Sequence, residues 1–595
     1  MKTPILGSAY VARSINEADN QMINLYPEIV PEGGKESAFL IKTPGLRLLA
    51  TVGDGPIRGI WWHANFMYVV SGAKFYKVST TYNATYIGAI GGSGLVSMAD
   101  NGGVIFIAAS SHSYQYNINT SELLEITDEE FLGAAVVGYI DTYFVYITPN
   151  SQLVSTVSSI TPTGDFIWPL VFDATSVGSA EGSPDNLVSM IVDHNEVWLF
   201  GENSVEVWYD AGNADFPLQR IQGAFNELGC AARFSVAKLD NGLFWLGADA
   251  RGRGIVYRSN GYSGQRVSTH AIEFAIAQYG DLSDAIAYTY QQEGHSFYVL
   301  TFPSAGVTWV YDVATNAWHQ RGEWLSADFG RHRSNCQLSF NNENIVGDYI
   351  NGNLYAYDLN AYDDNGTPIR WLRSWRALPT GANNLKRTAH HSLQLDCESG
   401  VGISGLDATE DVTYVLIDYG VIESGLSGTD GVDKTKIYVN GLTTWAQIEV
   451  GLYVQGDYIV DGTTVAEKGG DYGGYYVLLS APATTAFTSQ TVFFAESFDE
   501  TYLLAEDGSY VVADEEYTQG VNPQVMLRWS DDGGHTWSNE HWAPMGRMGK
   551  YGTRVMWRRL GMTLKLRDRV YEVSGADPVP VYIMGAELIM SGTGA

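Results

Sequence analysis

A chain of 595 residues is too long for one ordinary hydrophobic core, so three or four domains are expected unless a propeller absorbs ~300 residues as one unit. With 45% hydrophobic and only 17% charged residues, 37 Tyr, 16 Trp and 65 Gly, the composition favours half-buried pleated surfaces joined by tight turns, which means β structure. A formal net charge of −32 argues against gripping nucleic acid through its phosphates, which takes clustered Lys and Arg.

The start, MKTPILGSAYVARS, has no signal-peptide apolar core, and no run of eighteen apolar residues follows anywhere. A soluble product that folds in a cytoplasm, without stable membrane insertion, is expected. Residues 1–55 carry Pro and Gly punctuation and little sustained period, and read as an extended amino-terminal arm with short strands.

From Pro56 to Asp358, within a domain assigned to residues 56–380, one pattern recurs: an apolar β-rich run with an aromatic, a turn, then a second such run. Seven hairpins of this kind are readable, among them FMYVVSGAKFYKV from Phe66, EVWLFGENSVEVWYD from Glu196 and ENIVGDYINGNLYAYD from Glu343. The anchors Tyr68, Phe106, Phe144, Trp198, Phe244 and Tyr298 are separated by 38, 38, 54, 46 and 54 residues. Short strands repeating every ~40 to 50 residues predict the blades of a β-propeller, six or seven in number, because a blade buries its faces only against neighbours. The irregular spacing leaves a large β-sandwich as the competing arrangement.

A carboxy-terminal, sandwich-like β domain is assigned to residues 381–404 and 521–595, interrupted by an inserted acidic β domain at 405–520. Between Asp396 and Gly520 there are 22 acidic residues against Lys434, Lys436 and Lys468, so this stretch carries −19 of the −32. Its β-branched and aromatic content, as in VTYVLIDY, KIYVNG, GLYVQGDYIVDG and GYYVLLS, is too high for disorder. After Val521 the balance reverses, to 9 basic and 7 acidic residues. There LKLRDRV predicts a strand with Leu564 and Leu566 on one face and Lys565, Arg567 and Arg569 exposed on the other.

Chemistry-bearing motifs are scarce. Ser530, Asp532, Gly534, Thr536 and Trp537 fit the S-x-D-x-G-x-T-W Asp box of sialidase propellers, in which side-chain oxygens accept backbone hydrogen bonds and Gly permits positive φ. Such a motif stabilises a turn and performs no catalysis. A glycosidase would need paired carboxylates, and neither Glu515 with Glu516 nor Asp363 with Asp364 stands out. DLNAYDDNG from Asp358 resembles part of a calcium loop but has Ile369 at the twelfth position, where a carboxylate is required. Cys230, Cys336 and Cys397 are far apart and read as buried free thiols, and His390 and His391 are mere neighbours. No phosphate loop, HExxH or nucleophile elbow occurs. No catalytic, cofactor-binding or metal residue is assigned, and no cofactor is expected.

RSINEADNQMINLYPEIVP from Arg13, KTPGLRLLATVGDGPIRGIWW from Lys42, GSGLVSMADNGG from Gly92, MLRWSDDGGHTWS from Met526 and YGTRVMWRRLGMTLKLR from Tyr551 are long, ordered and collinear. They resemble the packaged DNA stabilization proteins of short-tailed bacteriophages, also called tail accessory factors or tail hubs. The resemblance implies a non-enzymatic virion protein, made in the bacterial cytoplasm and hexameric in the tail. It further implies attachment below the portal and adaptor ring, a channel through which DNA passes without sequence-specific binding, and docking of a needle or plug and of tailspikes or fibres. Two other functions are carried beside it: a sialidase-like glycan-degrading tail enzyme, and a carbohydrate-binding receptor module using Trp445, Tyr472, Tyr475 and Tyr476 of the insertion.

Overall fold

The computed structural model describes the chain except residues 1, 15–17, 32–33, 35, 110–111, 179–184, 214–215, 250–251, 377–386, 404–419, 430–435, 440–447, 456–458, 461, 472–473, 482–483, 485–486, 496–501, 505–509, 513–520, 564–568 and 593–595. It separates into two compact units, Met1–Ile403 with Gln519–Ala595, and Ser404–Thr518. No described helix is long and apolar enough to cross a membrane.

The first unit opens with a seven-bladed β-propeller. Blade 1 runs from Ile57 to Ala89, blade 2 from Ser97 to Glu125, blade 3 from Val136 to Gly178 and blade 4 from Leu187 to Asn226. Blade 5 runs from Gly229 to Arg266 and blade 6 from Ile286 to Arg321. Blade 7 takes three strands from Ser334–Asp358 and its fourth, Gly45–Thr51, from the other end of the chain. The ring is closed by pairing the sequence's beginning with the propeller's end.

Every aromatic anchor of the repeat lies on the second strand of its blade, and each of the six is buried. Their rings fill the wedges between blades: Phe106 meets Phe144 edge to face at 5.8 Å, and Phe244 stacks on Tyr298 at 5.3 Å. Each such ring buries about 150–250 Å² and adds to the seam beyond its area. The uneven spacing has local causes. The two 54-residue intervals contain the 156–176 excursion within blade 3 and the helix His270–Ile276 between blades 5 and 6. Thr269 caps that helix, its Oγ1 accepting from the Ile272 N–H.

A β-sandwich is continuous with blade 6. Met22–Ile23 pairs in parallel with the outer strand Ala317–Arg321, and on its other side with Trp371–Arg376, followed by Val570–Gly575, Gln524–Ser530 and His541–Pro544. The facing sheet contains, in order, Leu25–Ile29, Ala38–Lys42, Tyr582–Gly592, Thr388–Cys397 and Val555–Arg558. Gly575 is required, because a Cβ there would strike the Trp371 indole. Two boundaries therefore shift from the sequence reading. The arm of residues 1–55 contributes strands to both sandwich sheets and to blade 7, and Trp371–Arg376 already belongs to the sandwich, so the propeller ends before residue 380. Apolar periodicity cannot reveal which partner a strand takes.

Among the described residues the second unit has a six-stranded sheet in the order Tyr453–Gln455, Phe487–Ala495, Gly420–Thr429, Lys436–Val439, Gly474–Leu479 and Val465–Asp471, and a two-stranded one, Tyr502–Leu504 with Tyr510–Val512. Ile437, Val454, Val477, Val492 and Phe494 form its core. The predicted strand VTYVLIDY, at 412–419, lies outside the described residues, as do Trp445, Tyr472, Glu515 and Glu516.

Two buried ionisable groups sit between blade 7 and the sandwich. Lys42 Nζ donates to the Tyr362 carbonyl (2.9 Å) and the Asp577 carbonyl (3.2 Å), and burial lowers its pKa to about 8. Burial pushes the nearby Asp364 up to about 7. Unfolded, that carboxyl ionises near ~4. Its contribution to stability is therefore complete below the unfolded value and is withdrawn as pH rises through the folded one, near 7. Asp364→Asn, which cannot ionise, is expected to leave stability at pH 3 unchanged and raise it at pH 8 by on the order of 1–3 kcal/mol. Urea unfolding at the two pH values checks this. A loss of stability at pH 8 would mean that attraction to Lys42 outweighs the cost of burial.

Candidate functional site

In each blade the first strand is innermost, and neighbouring inner strands are stitched together round the propeller axis. Val137 N–H donates to Ser97 Oγ (3.1 Å), Ser189 Oγ to the Arg233 carbonyl (2.6 Å), Thr289 Oγ1 to the Lys238 carbonyl (2.6 Å) and Asn335 Nδ2 to the Ile57 carbonyl (2.8 Å). The inner strands run in one direction, so the turns that leave them fall on one face of the disc. Ala64, Asp141, His194, Asn195, Asp240, Asn241, Glu293, Asn341 and Asn342 have positive φ at these turns, the conformation that two-residue hairpins need.

These turns bring carboxylates together. Asp100, Asp141, Asp193, Asp240, Glu293 and Glu343 stand at the first turn of blades 2 to 7, one for each blade. Burial, with Asp210 beside it, raises the pKa of Asp141. Cations here are already engaged: Lys238 with Asp193 (3.3 Å), Arg258 with Asp240 (2.7 Å) and Arg47 with Glu343. Arg58, on the inner strand of blade 1, donates to the Gly72 (2.9 Å), Gly91 (3.3 Å) and Gly94 (2.6 Å) carbonyls. Between blades 4 and 7 the turns border an open polar cavity of about 580 Å³ lined by Asp193, Lys238, Asp240, Gln291 and Glu343. This acidic rim is absent from the sequence reading, which followed apolar runs. Its signal lies in the short polar strings between them: DNGG at 100–103, DHNE at 193–196, LDNG at 239–242 and NNE at 341–343.

The Asp-box residues form one hairpin turn after Gln524–Ser530. Asp532 Oδ1 accepts from Ser530 Oγ (2.6 Å) and from the His535 (3.0 Å) and Thr536 (2.8 Å) N–H groups, while Oδ2 accepts from Thr536 Oγ1 (2.7 Å). Ser530 Oγ also accepts from the Gly534 N–H (2.8 Å), and Gly533 and Gly534 have φ of 80° and 105°. The half-buried Trp537 lies under the Arg528 guanidinium, 4.8 Å from ring centre to Cζ. Hydrogen bonds from Ser530 and Thr536 hold the Asp532 carboxyl well below the usual carboxylate range. The stability it contributes is present above its unfolded pKa and is lost as pH falls towards the folded value. Asp532→Ala is expected to lower the thermal midpoint by a few degrees at pH 7 with no difference from the parent in strong acid, read by calorimetry across pH.

Other candidate residues disperse. Asp363 Oδ1 accepts from the Gly366 N–H (2.8 Å), whereas Asp364 is buried against Lys42. Asp358 closes a turn, accepting from the Asn360 N–H (2.8 Å) and from Arg47 Nε (3.1 Å). No group of three or more metal-ligating side chains is present among the described residues. His390 is buried between Thr388 Oγ1 (3.0 Å) and the Tyr571 hydroxyl (2.5 Å), and His391 meets Ser591 Oγ (2.8 Å). Cys230 is buried, but Cys336 and Cys397 are only half-buried, and burial raises the three thiols to about 11, 12 and 12. Tyr475 is exposed, while Tyr476 lies under Lys436 Nζ at 3.7 Å.

Arg569 corrects the sequence reading. Expected on an exposed basic face, it is buried, with Nε and Nη2 both 2.6 Å from the Asp531 carboxylate and Nη1 2.7 Å from the Leu560 carbonyl. Period two assigns a face but cannot know that a carboxylate from the turn after the neighbouring strand waits behind it. Residues 564–568 of the same run lie outside the described residues.

A family model described as Bacteriophage P22 Gp10, beta-propeller, matches residues 1–362, and one described as Bacteriophage P22 Gp10, beta-sandwich, matches residues 498–591. None of the curated proteins compared with the chain matches it. Among solved structures it is similar to BamB from Moraxella catarrhalis, at 13% identity over 53% of this chain and 99% of that one, with a TM-score of 0.31. It is also similar to the beta-propeller domain of Myceliophteria thermophila Cps50 (Swd1), at 6% identity over 52% of this chain and 99% of that one, TM-score 0.33. A third is the computationally designed Ika8 protein, at 13% identity over 57% of this chain and 99% of that one, TM-score 0.32. With the propeller and sandwich each matched in chain order, this protein belongs to the P22 Gp10 family, the packaged DNA stabilization proteins that are structural components of short phage tails.

Proposed function

We propose that the chain is the ring-forming hub, or nozzle, of a short tail, assembled as a hexamer below the portal and adaptor ring. There it extends the DNA channel, helps retain the packaged genome, receives the needle or plug and offers docking places to tailspikes or fibres. Membership of the P22 Gp10 family carries this reading. Two physical points support it. The cavity of about 580 Å³ at the turns of blades 4 to 7 has room for a few tens of waters and none for a duplex, so it is not the conduit, which in this reading runs between chains. A net charge of −32 gives such a conduit walls that repel phosphate, letting DNA slide through without sequence-specific binding.

Electron microscopy of assembled particles tests the reading, with a symmetric ring of this chain at the portal vertex, below the adaptor ring, as the expected result. A free monomer that releases sugar from host polysaccharide would replace it with the glycan-degrading function, and glycan binding without cleavage with the receptor module. The insertion is separable in this scheme. A Cβ on Gly402 would collide with the Val521 carbonyl oxygen, so the chain leaves the sandwich and returns to it side by side. Joining these points in place of residues 404–518 is expected to preserve folding and ring assembly and, if the insertion serves host contact, to reduce adsorption alone. Measuring assembly and adsorption separately distinguishes the outcomes.

A further inference from the structure

We infer that neighbouring copies of this chain meet head to tail, the loop before the last strand of the sandwich's second sheet seating on the outer strand of blade 2 of the next copy; this rests on the ring reading above. The first surface is an unusual patch for so acidic a chain. Arg547, Lys550, Arg554 and Arg558 are all exposed, without a carboxylate partner among the described residues, and with them stand Met548, 59% exposed, and Tyr551, 76% exposed. The loop is held in shape by two bonds of its own, Lys550 N–H to the Arg547 carbonyl (3.0 Å) and Thr553 N–H to the Lys550 carbonyl (3.1 Å), and by Gly549 N–H to the carbonyl of Gly400 (3.1 Å) outside it. An ordered loop carrying exposed Tyr, Met and Arg has the composition of an interface core rather than of a solvated surface.

The second surface is complementary in sign. Glu122, Glu125, Asp128, Glu129 and Glu130 are exposed along the fourth strand of blade 2 and the turn after it, and none is paired with Lys or Arg among the described residues. Glu125 meets only His112 (2.7 Å), and Glu122 accepts only from Trp168 Nε1 (3.0 Å). The strand Glu122–Glu125 is the open edge of its sheet, and Leu132 beside it is 36% exposed.

Topology places the two patches on opposite sides. The sandwich grows from the outer edge of blade 6, and blade 2 is three blades away in one sense round the seven-bladed ring and four in the other. A closed ring of identical chains needs two unlike, mutually complementary surfaces facing away from each other. Opposite charge across such a contact sets its register and suppresses wrong pairings.

The test uses the full chain in assembled particles. Tyr551→Cys with Glu129→Cys in one chain is expected to give disulfide-linked multimers on non-reducing gels, and neither single variant should do so. Arg547→Glu with Lys550→Glu and Arg554→Glu is expected to cut incorporation into tails by about tenfold or more, as is Glu125→Lys with Asp128→Lys and Glu130→Lys, while both sets together restore it. Thermal midpoints equal to the parent's show that the variants fold. Parental rings seen by microscopy, with no multimers from the cysteine pair and normal incorporation of the Arg547→Glu set, would overturn this interface. Absence of any ring would instead overturn the hub reading itself. Loss of binding to a short DNA duplex in that set, with incorporation intact, would assign the patch to a polyanion and also sink the proposal.

Discussion

A chain lacking residues 2–51 is expected not to fold, although every apolar repeat of the propeller's first six blades is still present. Three sheets of the structure lose strands at once. Lys2–Thr3 pairs with Ala586–Glu587, Met22–Ile23 joins blade 6 to Trp371–Arg376, Leu25–Ile29 with Ala38–Lys42 completes the second sandwich sheet, and Gly45–Thr51 closes blade 7. Met22, Leu25, Leu40 and Leu46 are fully buried, and at about 1.5–3 kcal/mol each their loss alone approaches the ~5–15 kcal/mol that holds a domain folded. The exposed edge of Asn353–Asp358 would also become a template for aggregation. Circular dichroism and size-exclusion chromatography of the truncated chain check this. A monomer with a thermal midpoint close to the parent's would refute the view that the arm is part of the fold.

Arg569→Ala is expected to destabilise the sandwich by about 3–5 kcal/mol, the cost of breaking a buried ion pair from one side. Asp531 would keep its charge, only 16% exposed, with no cation in place, and the Leu560 carbonyl would lose its donor. The guanidinium also lies over the Trp529 ring, 5.5 Å from its centre, so an apolar contact goes with the charge. Arg569→Met combined with Asp531→Leu removes both charges and is expected to recover most of the loss. Urea unfolding followed by tryptophan fluorescence measures both variants. Equal destabilisation by the single and double changes would show that packing over Trp529, and not the ion pair, is what counts.

The propeller was legible because one kind of residue both marks the repeat and fills the structure. An aromatic on the second strand of each of the first six blades is at once the periodic signal and the wedge that packs the seam, as Phe106 and Phe144 are. The Asp-box turn was legible for a similar reason: its bonds join residues at most four apart, from Ser530 to Thr536, so the string of letters already contains both partners. Arg569 was misread because its partner stands 38 residues away in the turn after another strand, outside anything a period-two pattern can register. The acidic rim went unread because each blade contributes a single carboxylate at an otherwise ordinary turn.

By itself the sequence determined the β class, the repeat and its seven hairpins, the acidic insertion and the family that the end motifs resemble. These rest on local pattern and on composition, which do not depend on who pairs with whom. Only the tertiary structure decided that the amino-terminal arm closes blade 7 and braces the sandwich, that Arg569 is buried, and that six dispersed carboxylates meet on one face. Those outcomes come from pairings between distant strands, selected by burial and hydrogen-bond satisfaction across the whole fold rather than by any neighbouring residues.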